Sequence, residues 1–361
     1  MKTKRWNRAE KVFFALIIIV FILASLNVVK ARGLLLPEQP EVHIDDNTIA
    51  LSSLTLEQKI AQMVIVAGNP RNTPAWKNLQ LGGMHLFAMQ DAALFQNTIA
   101  EAQEGRSIPF FITVDLEGCL NPFANFQQFT SASNITTAGD AFEKGSVEGK
   151  FLSSLGFTVN FAPVVDLQDT IWNCRSFSGN ETQIAESAEA YILGLQSENV
   201  FSTVKHYPGK TLVVKDPHKY LVAADINARD VYPFIYVTDK GDVTFVMVSH
   251  IITSGEIDSS GLPAVVSPAV LQGLKQRFSG LIISDEINML GLKQYYPTLD
   301  EMYIAVFRAG NDMILNFNDD PNEIYRMIQV VKQAVEGGDI SEEQIDVSVR
   351  KILELKGFTV I

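Results

Sequence analysis

Cysteine is nearly absent. The 361-residue chain has two, at 119 and 174. Two thiols cannot frame a disulfide-dense scaffold or a four-sulfur metal site, so the fold must rest on an apolar core. Histidine is scarce too: His43, His85, His206, His218 and His250 are all there is, and their spacing fits no zinc motif. The sequence therefore calls for no metal and no cofactor. Basic residues are outnumbered, 29 against 41. The deficit is uneven. Residues 1–33 hold seven of the basic residues and one acid, which leaves 22 against 40, or −18, for the remainder. A body of that sign repels phosphate backbones, so a nucleic-acid partner is excluded. No repeat of 20–50 residues and no low-complexity tract occurs. Nor is there a glycine-rich phosphate turn, since Ala67-Gly68-Asn69-Pro70 after the first apolar run is not one.

What is present is apolar residue, 47% of the chain, enough for a sizeable core. Lys2, Lys4, Arg5, Arg8 and Lys11 precede an uncharged apolar run over 12–29. Eighteen helical residues span about 27 Å, close to a bilayer's hydrocarbon thickness. Residues 1–32 read as a basic cytoplasmic flank with a transmembrane anchor or a cleaved signal segment, Val29-Lys30-Ala31 being a small-residue cleavage candidate. The body is then extracytoplasmic and membrane-tethered, or secreted if the segment is removed. Residues 33–50 read as a linker. From 51 to 361 short apolar runs alternate with amphipathic stretches. Strands are predicted over 63–67, 83–87, 110–115, 158–165, 202–206, 245–250, 281–285 and 312–317. Helices are predicted near 91–104, 140–155, 181–198, 229–239, 267–277, 299–309, 321–335 and 341–356. Near-continuous apolar strands are those buried on both faces. Eight of each in alternation is the count of a single (β/α)8 TIM-type barrel.

Barrel enzymes carry their chemistry at the C-terminal ends of the strands. Here those ends are polar. They read Asp115-Leu116-Glu117-Gly118, Asp166 with Arg175 in its loop, Lys205-His206-Tyr207-Pro208-Gly209, Ser249-His250 and Ser284-Asp285-Glu286. A charge after a strand is ordinarily a cap or a solvated loop residue. Five such ends on one rim suit acid–base and nucleophilic work on a polyhydroxylated substrate. His85 and His250 read as core or rim histidines.

These segments, with Gly82-Gly83-Met84-His85-Leu86-Phe87, Asn160-Phe161-Ala162-Pro163-Val164-Val165-Asp166, Asp216-Pro217-His218 and Ala309-Gly310-Asn311-Asp312-Met313, resemble glycoside hydrolase family 3 in its β-N-acetylglucosaminidase branch. The resemblance runs from about residue 55 to the C-terminus, in family order. It implies a retaining exo-glycosidase acting on a carbohydrate with terminal β-linked N-acetylglucosamine, such as peptidoglycan fragments. It implies Asp285 as the nucleophile that forms a glycosyl ester. Asp216 and His218 are implied as an acid/base dyad, and Asp115, Arg175, Lys205 and His206 as sugar-binding residues. An imidazole with a pKa near 6.5 suits proton transfer near neutrality. Two other readings stay open: another β-glycosidase or a phosphorylase of the same family, and a catalytically silent glycan-binding barrel.

Three departures from the family pattern stand out. Gly209-Lys210-Thr211 stands where the family has Gly-His-Gly. Cys119-Leu120-Asn121-Pro122-Phe123 stands where it has a second glycine and then arginines. Glu286 stands where a second aspartate is common. A sugar-binding arginine is thus unaccounted for, and neither Arg106 nor Arg71 is placed by a motif. Cys119 follows the third predicted strand and Cys174 lies in the loop after the fourth. Adjacent parallel strands are about 4.8 Å apart, and a bridge needs Cα atoms within roughly 4.4–6.8 Å. The pair either forms a disulfide or packs as two buried free thiols.

Overall fold

The computed structural model describes residues 8–31, 36–212, 215–217 and 219–361, with backbone alone for residue 9 and residues 24–31. Eight parallel strands carry the body: β1 Val64–Ala67, β2 Gly83–His85, β3 Phe111–Val114, β4 Val159–Asn160, β5 Phe201–Tyr207, β6 Phe245–Val248, β7 Leu281–Ser284 and β8 Ile314–Asn316. Their order is β7-β6-β5-β4-β3-β2-β1-β8. Every strand therefore lies beside its neighbours in the chain. A parallel bridge between Ile283 and Met313 joins the two ends. Met313 N donates to Ile282 O at 3.0 Å and Ser284 N to Met313 O at 2.9 Å, so the sheet closes as a barrel. Strand side chains are buried almost throughout, because helices cover the outside and side chains fill the inside.

The helices form where the sequence places them, and their ends show why. Thr137, Asn180, Asn227, Thr298 and Ser341 each accept a backbone N–H at the start of Ala138–Leu155, Glu181–Gln196, Ala228–Lys240, Leu299–Ala309 and Glu342–Leu355. Gly156, Gly241 and Gly310 close three of them with positive φ. Seven of the eight strand ladders are shorter than predicted, and the fifth, Phe201–Tyr207, is longer. The fourth keeps two residues of an expected eight as regular strand, and beyond them it is joined to its neighbours by single hydrogen bonds such as Phe161 N to Val114 O and Val165 N to Lys205 O. Elements not predicted include helix Leu56–Gln62, helix Thr73–Asn78, and a parallel pair, Ala223–Ile226 with Ile252–Gly255, built on the loops after β5 and β6.

The stretch read as a linker contributes Thr48–Ile49, which pairs with Thr359–Val360 at the end of the chain. Val42 and Ile49 are buried. Ahead of it, Arg8–Ala31 is one helix, and its described apolar side chains, Val12 to Leu23, are exposed. Among the described residues no helix is long and apolar enough to cross a membrane. The side chains of the rest of that apolar run, 24–29, lie outside the described residues.

Candidate active site

The C-terminal ends of the strands gather the predicted residues from four directions. β3 delivers Asp115 and Glu117 on either side of Leu116, and Leu116 is clamped. Its N–H donates to Asn160 Oδ1 and its carbonyl accepts from Asn160 Nδ2, both at 2.9 Å. Asn160 is braced by Tyr191, whose hydroxyl donates to Glu148 Oε2 at 2.6 Å. Glu148 in turn pairs with Lys144. Burial raises the Glu148 pKa, opposed by the Lys144 charge. The clamp fixes the strand end, and the two carboxylates differ in access. The Asp115 side chain is 35% exposed and that of Glu117 1%.

β5 delivers Lys205 between them. Its Nζ lies 2.5 Å from Asp115 Oδ1 and 2.6 Å from Glu117 Oε1. Arg175 grips Glu117 from the other side, Nε to Oε2 at 2.7 Å and Nη2 to Oε1 at 2.9 Å. Burial alone would raise the Glu117 pKa, but the charges of Arg175 and Lys205 and their hydrogen bonds hold it far below the usual carboxylate range. Burial alone would lower the Lys205 pKa. Asp115 and Glu117 push it upward instead, and Glu117 does the same for Arg175. Glu117, Lys205 and Arg175 are therefore ionised, and with Asp115 they form a wall of two carboxyl groups paired with two cations. Such a wall offers hydrogen bonds without a net charge to be met, which suits a neutral polyhydroxyl ligand.

Arg175 is aimed by its loop. The Asp169 carboxylate accepts the N–H groups of Ile171, Trp172, Cys174 and Arg175 at 2.8–3.3 Å. Cys119 and Cys174 are bridged, with Cα atoms 6.0 Å apart, so of the two thiol readings the disulfide holds. The Trp172 ring centroid stands 4.8 Å from Arg175 Cζ.

His206 follows Lys205. Its Nδ1 lies 2.9 Å from Asp166 Oδ2, and Arg175 Nη2 faces its Nε2 at 3.4 Å. A guanidinium only donates, so the ring carries its proton on Nδ1 and gives it to Asp166. The other Asp166 oxygen accepts Thr211 N at 2.8 Å, and Lys210 is drawn away to Asp230 at 2.9 Å. The altered Gly-Lys-Thr thus folds around Asp166.

His85, at the end of β2, is a rim residue beneath Asp115. Nε2 is 3.6 Å from Asp115 Oδ2 and Nδ1 3.0 Å from Thr113 Oγ1. The ring stacks between Phe161 and Phe317, centroids 5.4 and 4.9 Å away. Burial lowers its pKa to about 4, against the pull of Asp115, so it is neutral at physiological pH. Phe87, two residues on and 49% exposed, stands edge-on to both His85 and Phe317.

β7 ends in Asp285 and Glu286, and their surroundings differ. Glu286 Oε1 accepts Asn288 N, Asn288 Nδ2 and Phe317 N at 2.7–3.0 Å. Its carboxylate holds a loop together. Asp285 is half-buried, its Oδ1 accepting Glu286 N at 2.8 Å. His250 donates from Nε2 to Glu286 O at 2.8 Å, which ties the ends of β6 and β7. Asp216 lies on a turn whose carbonyl accepts Lys219 N at 3.1 Å and Tyr220 N at 3.2 Å. Its side chain is 3.3 Å from Lys219 Nζ. His218 lies outside the described residues.

Asp115, Arg175, Lys205 and His206 thus form one connected cluster. Glu117, Asp166, Asp169 and His85 belong to it and carried no assigned role in the sequence. Alternation along Asp115-Leu116-Glu117 was the available signal for Glu117. Arg106 points elsewhere. It donates to Leu81 O and Ile108 O at the opposite end of the barrel, so it supplies no sugar contact. Among the described residues no three His, Cys, Asp or Glu side chains gather as a metal site.

The model of the glycosyl hydrolase family 3 N terminal domain matches residues 55–355. β-Hexosaminidase A of Pseudoalteromonas piscicida is 29% identical over 318 residues, covering 76% of this chain and 53% of that protein. A β-N-acetylglucosaminidase/β-glucosidase of Cellulomonas fimi is 27% identical over 350 residues, covering 87% and 60%. The chain therefore spans little more than half the length of these two curated relatives. The crystal structure of a glycosyl hydrolase of family 3 from Mycobacterium smegmatis superposes with a TM-score of 0.76 at 26% identity. It covers 85% of this chain and 98% of that one.

Proposed function

Because the chain belongs to glycosyl hydrolase family 3, we propose that it is a retaining exo-β-N-acetylglucosaminidase with Asp285 as nucleophile and Asp216–His218 as the acid/base pair. The observation that carries this is the neutralised cluster Asp115–Lys205–Glu117–Arg175 at the barrel mouth. Its accessible member, Asp115, can accept hydroxyls of a terminal sugar. The sugar held there presents its anomeric carbon to Asp285. Attack by the carboxylate forms a C1–O ester while the glycosidic bond breaks and His218 gives its proton to the leaving oxygen. Water then attacks C1, His218 takes its proton, and the free sugar leaves with Asp285 restored. Glu286 is held in its loop by three hydrogen bonds, which favours Asp285 as the reacting carboxylate of the pair. The names of the relatives support the N-acetylhexosamine.

The basic flank and the exposed apolar helix favour a body tethered outside a membrane, with wall-derived glycans as substrates. The deciding experiment is release of the chromophore from an aryl β-N-acetylglucosaminide, compared with the aryl β-glucoside, with and without phosphate. Faster release from the N-acetyl sugar, indifferent to phosphate, is expected. Preference for the glucoside or dependence on phosphate overturns the reading.

A further inference from the structure

A pyranose carries hydroxyls on its rim and C–H bonds on its two faces. The Asp115 cluster serves the hydroxyls, but a wall of paired charges offers nothing to a C–H face. Described contacts supply an apolar surface that reaches from Asp115 to Asp285. It begins at Phe87, which follows β2 by two residues and is 49% exposed. The Phe87 ring lies 4.7 Å from that of His85, and His85 Nε2 lies 3.6 Å from Asp115 Oδ2. Its second neighbour is the half-buried Phe317, 5.3 Å away, just beyond β8. Phe317 N donates to Glu286 Oε1 at 3.0 Å, and Glu286 N donates to Asp285 Oδ1 at 2.8 Å. The aromatic pair is thus tied to both carboxylates, each through one intervening residue.

A single exposed phenylalanine is ordinary. This one is held in place. It meets His85 at an interplanar angle of 69° and Phe317 at 84°, and those two rings are themselves stacked, 4.9 Å apart at 27°. Phe317 is pinned in turn. Besides its own bond to Glu286, the preceding Asn316 accepts Asn288 Nδ2 at 2.6 Å, and the same Nδ2 donates to Glu286 Oε1 at 2.7 Å. The rings are therefore set before any ligand arrives, so binding costs little further ordering. The exposed part of Phe87 stays in water until an apolar surface covers it, and the C–H face of a sugar is such a surface.

We propose that Phe87, backed by Phe317, is the aromatic platform on which the terminal sugar stacks. The inference rests on the glycosidase reading for the identity of the sugar. The pyranose whose hydroxyls are accepted by Asp115 lays one C–H face on the Phe87 ring. Two supports, one polar and one apolar, then fix the plane of the ring, where hydroxyl contacts alone would let it tilt. Ligand sites combine apolar platforms with a few placed polar groups in this way. Phe87 binds and orients the sugar and takes no part in proton transfer or bond making.

The test follows hydrolysis of an aryl β-N-acetylglucosaminide and its inhibition by free N-acetylglucosamine, which has no leaving group and so reads the terminal-sugar subsite alone. Phe87→Ala should lower kcat/KM about tenfold and raise the inhibition constant of N-acetylglucosamine by a similar factor. Phe87→Tyr, which keeps the ring, should stay near the wild type. Phe87→Leu, apolar but without a ring, should stay near Phe87→Ala. Unchanged kinetics in Phe87→Ala overturn the platform. So does full activity in Phe87→Leu, which would make Phe87 an apolar brace, and so does a fall in kcat/KM with an unchanged inhibition constant. If the wild type releases no chromophore, the glycosidase reading has failed, and nuclear magnetic resonance decides the platform alone. Saturation of the protein's aromatic protons should then pass to the ring C–H protons of added N-acetylglucosamine in the wild type and Phe87→Tyr, and not in Phe87→Ala. No transfer in the wild type, or equal transfer in Phe87→Ala, refutes it.

Discussion

Cations sit at both ends of this barrel and are treated oppositely. At the C-terminal mouth, Lys205 and Arg175 end on carboxylates, and their pKa values are pushed up. At the N-terminal end, Lys356 donates to Gly82 O at 2.8 Å and to Gln62 Oε1 at 2.9 Å, over the Phe111 ring. Burial and the nearby Arg106 charge push its pKa well down. Phe111, Phe201 and Phe245 pack together there, centroids 5.8–6.5 Å apart, and plug the barrel. A cavity of about 710 Å³ also opens at that end, beside Gln196, Thr244 and Lys351. Its polar walls are already bonded: Lys351 to Gly280 O, and Thr244 and Asp242 O to Gln196. Volume and chemistry thus separate. A cation facing carbonyls closes a structure, whereas one shared between carboxylates poises a site.

The sharpest way to break this contrast is at the mouth. Asp285→Asn should lower kcat by about 10³ or more, since the covalent step proposed above needs the carboxylate. Trapping with a fluoro-glycosyl donor should label Asp285, and a label on Glu286 or Glu117 would reassign the nucleophile. Glu117→Gln leaves Lys205 and Arg175 facing each other in a buried wall. Breaking such a pair costs about 3–5 kcal/mol, readable as a lower denaturant midpoint, with weaker substrate binding in the protein that remains folded.

His85 gives the mouth a pH signature. Its folded pKa of about 4 lies below the 6.5 of the free side chain. The unfolded chain therefore binds the extra proton between those values. The stability that neutral His85 contributes is full above about 6.5 and is lost as pH falls toward 4, some 3 kcal/mol in all at about 1.4 kcal/mol per unit. His85→Phe keeps the ring stack and should flatten that slope between urea unfolding at pH 4.5 and 7.5. An unchanged slope would place the titrating group elsewhere. The smallest effect belongs to the opposite end. Lys356→Met should change stability by less than about 1 kcal/mol and leave kcat alone, because the lost hydrogen bonds and the removed burial penalty oppose each other.

The sequence made the barrel and most of its mouth legible for a physical reason. Strands buried on both faces write unbroken apolar runs, and polar residues at their ends stand out against them. Alternation was less visible at Asp115-Leu116-Glu117, where three residues leave the ladder and the second carboxylate turns inward to pair. The missed elements share another cause. Ala223–Ile226 and Ile252–Gly255 hold each other across two loops, and pairing of that range leaves no local period. His85 read as core or rim because its neighbours are apolar, and only the fold brings it under Asp115. The dyad was read from Asp216-Pro217-His218 by resemblance, and His218, outside the described residues, carries no geometry here.

The Cys119–Cys174 bridge has a consequence for how the protein matures. It spans 55 positions and joins the loops after β3 and β4, the arms that carry Glu117 and Arg175. A chain kept among reductants can close its barrel, for the barrel needs no sulfur. The Arg175 arm then rests on its non-covalent contacts, those to Asp169 and Glu117 among them. Oxidation thus acts at the mouth, where it ties the Arg175 arm to the Glu117 arm, and a compartment that supplies an oxidant supports the fully braced form.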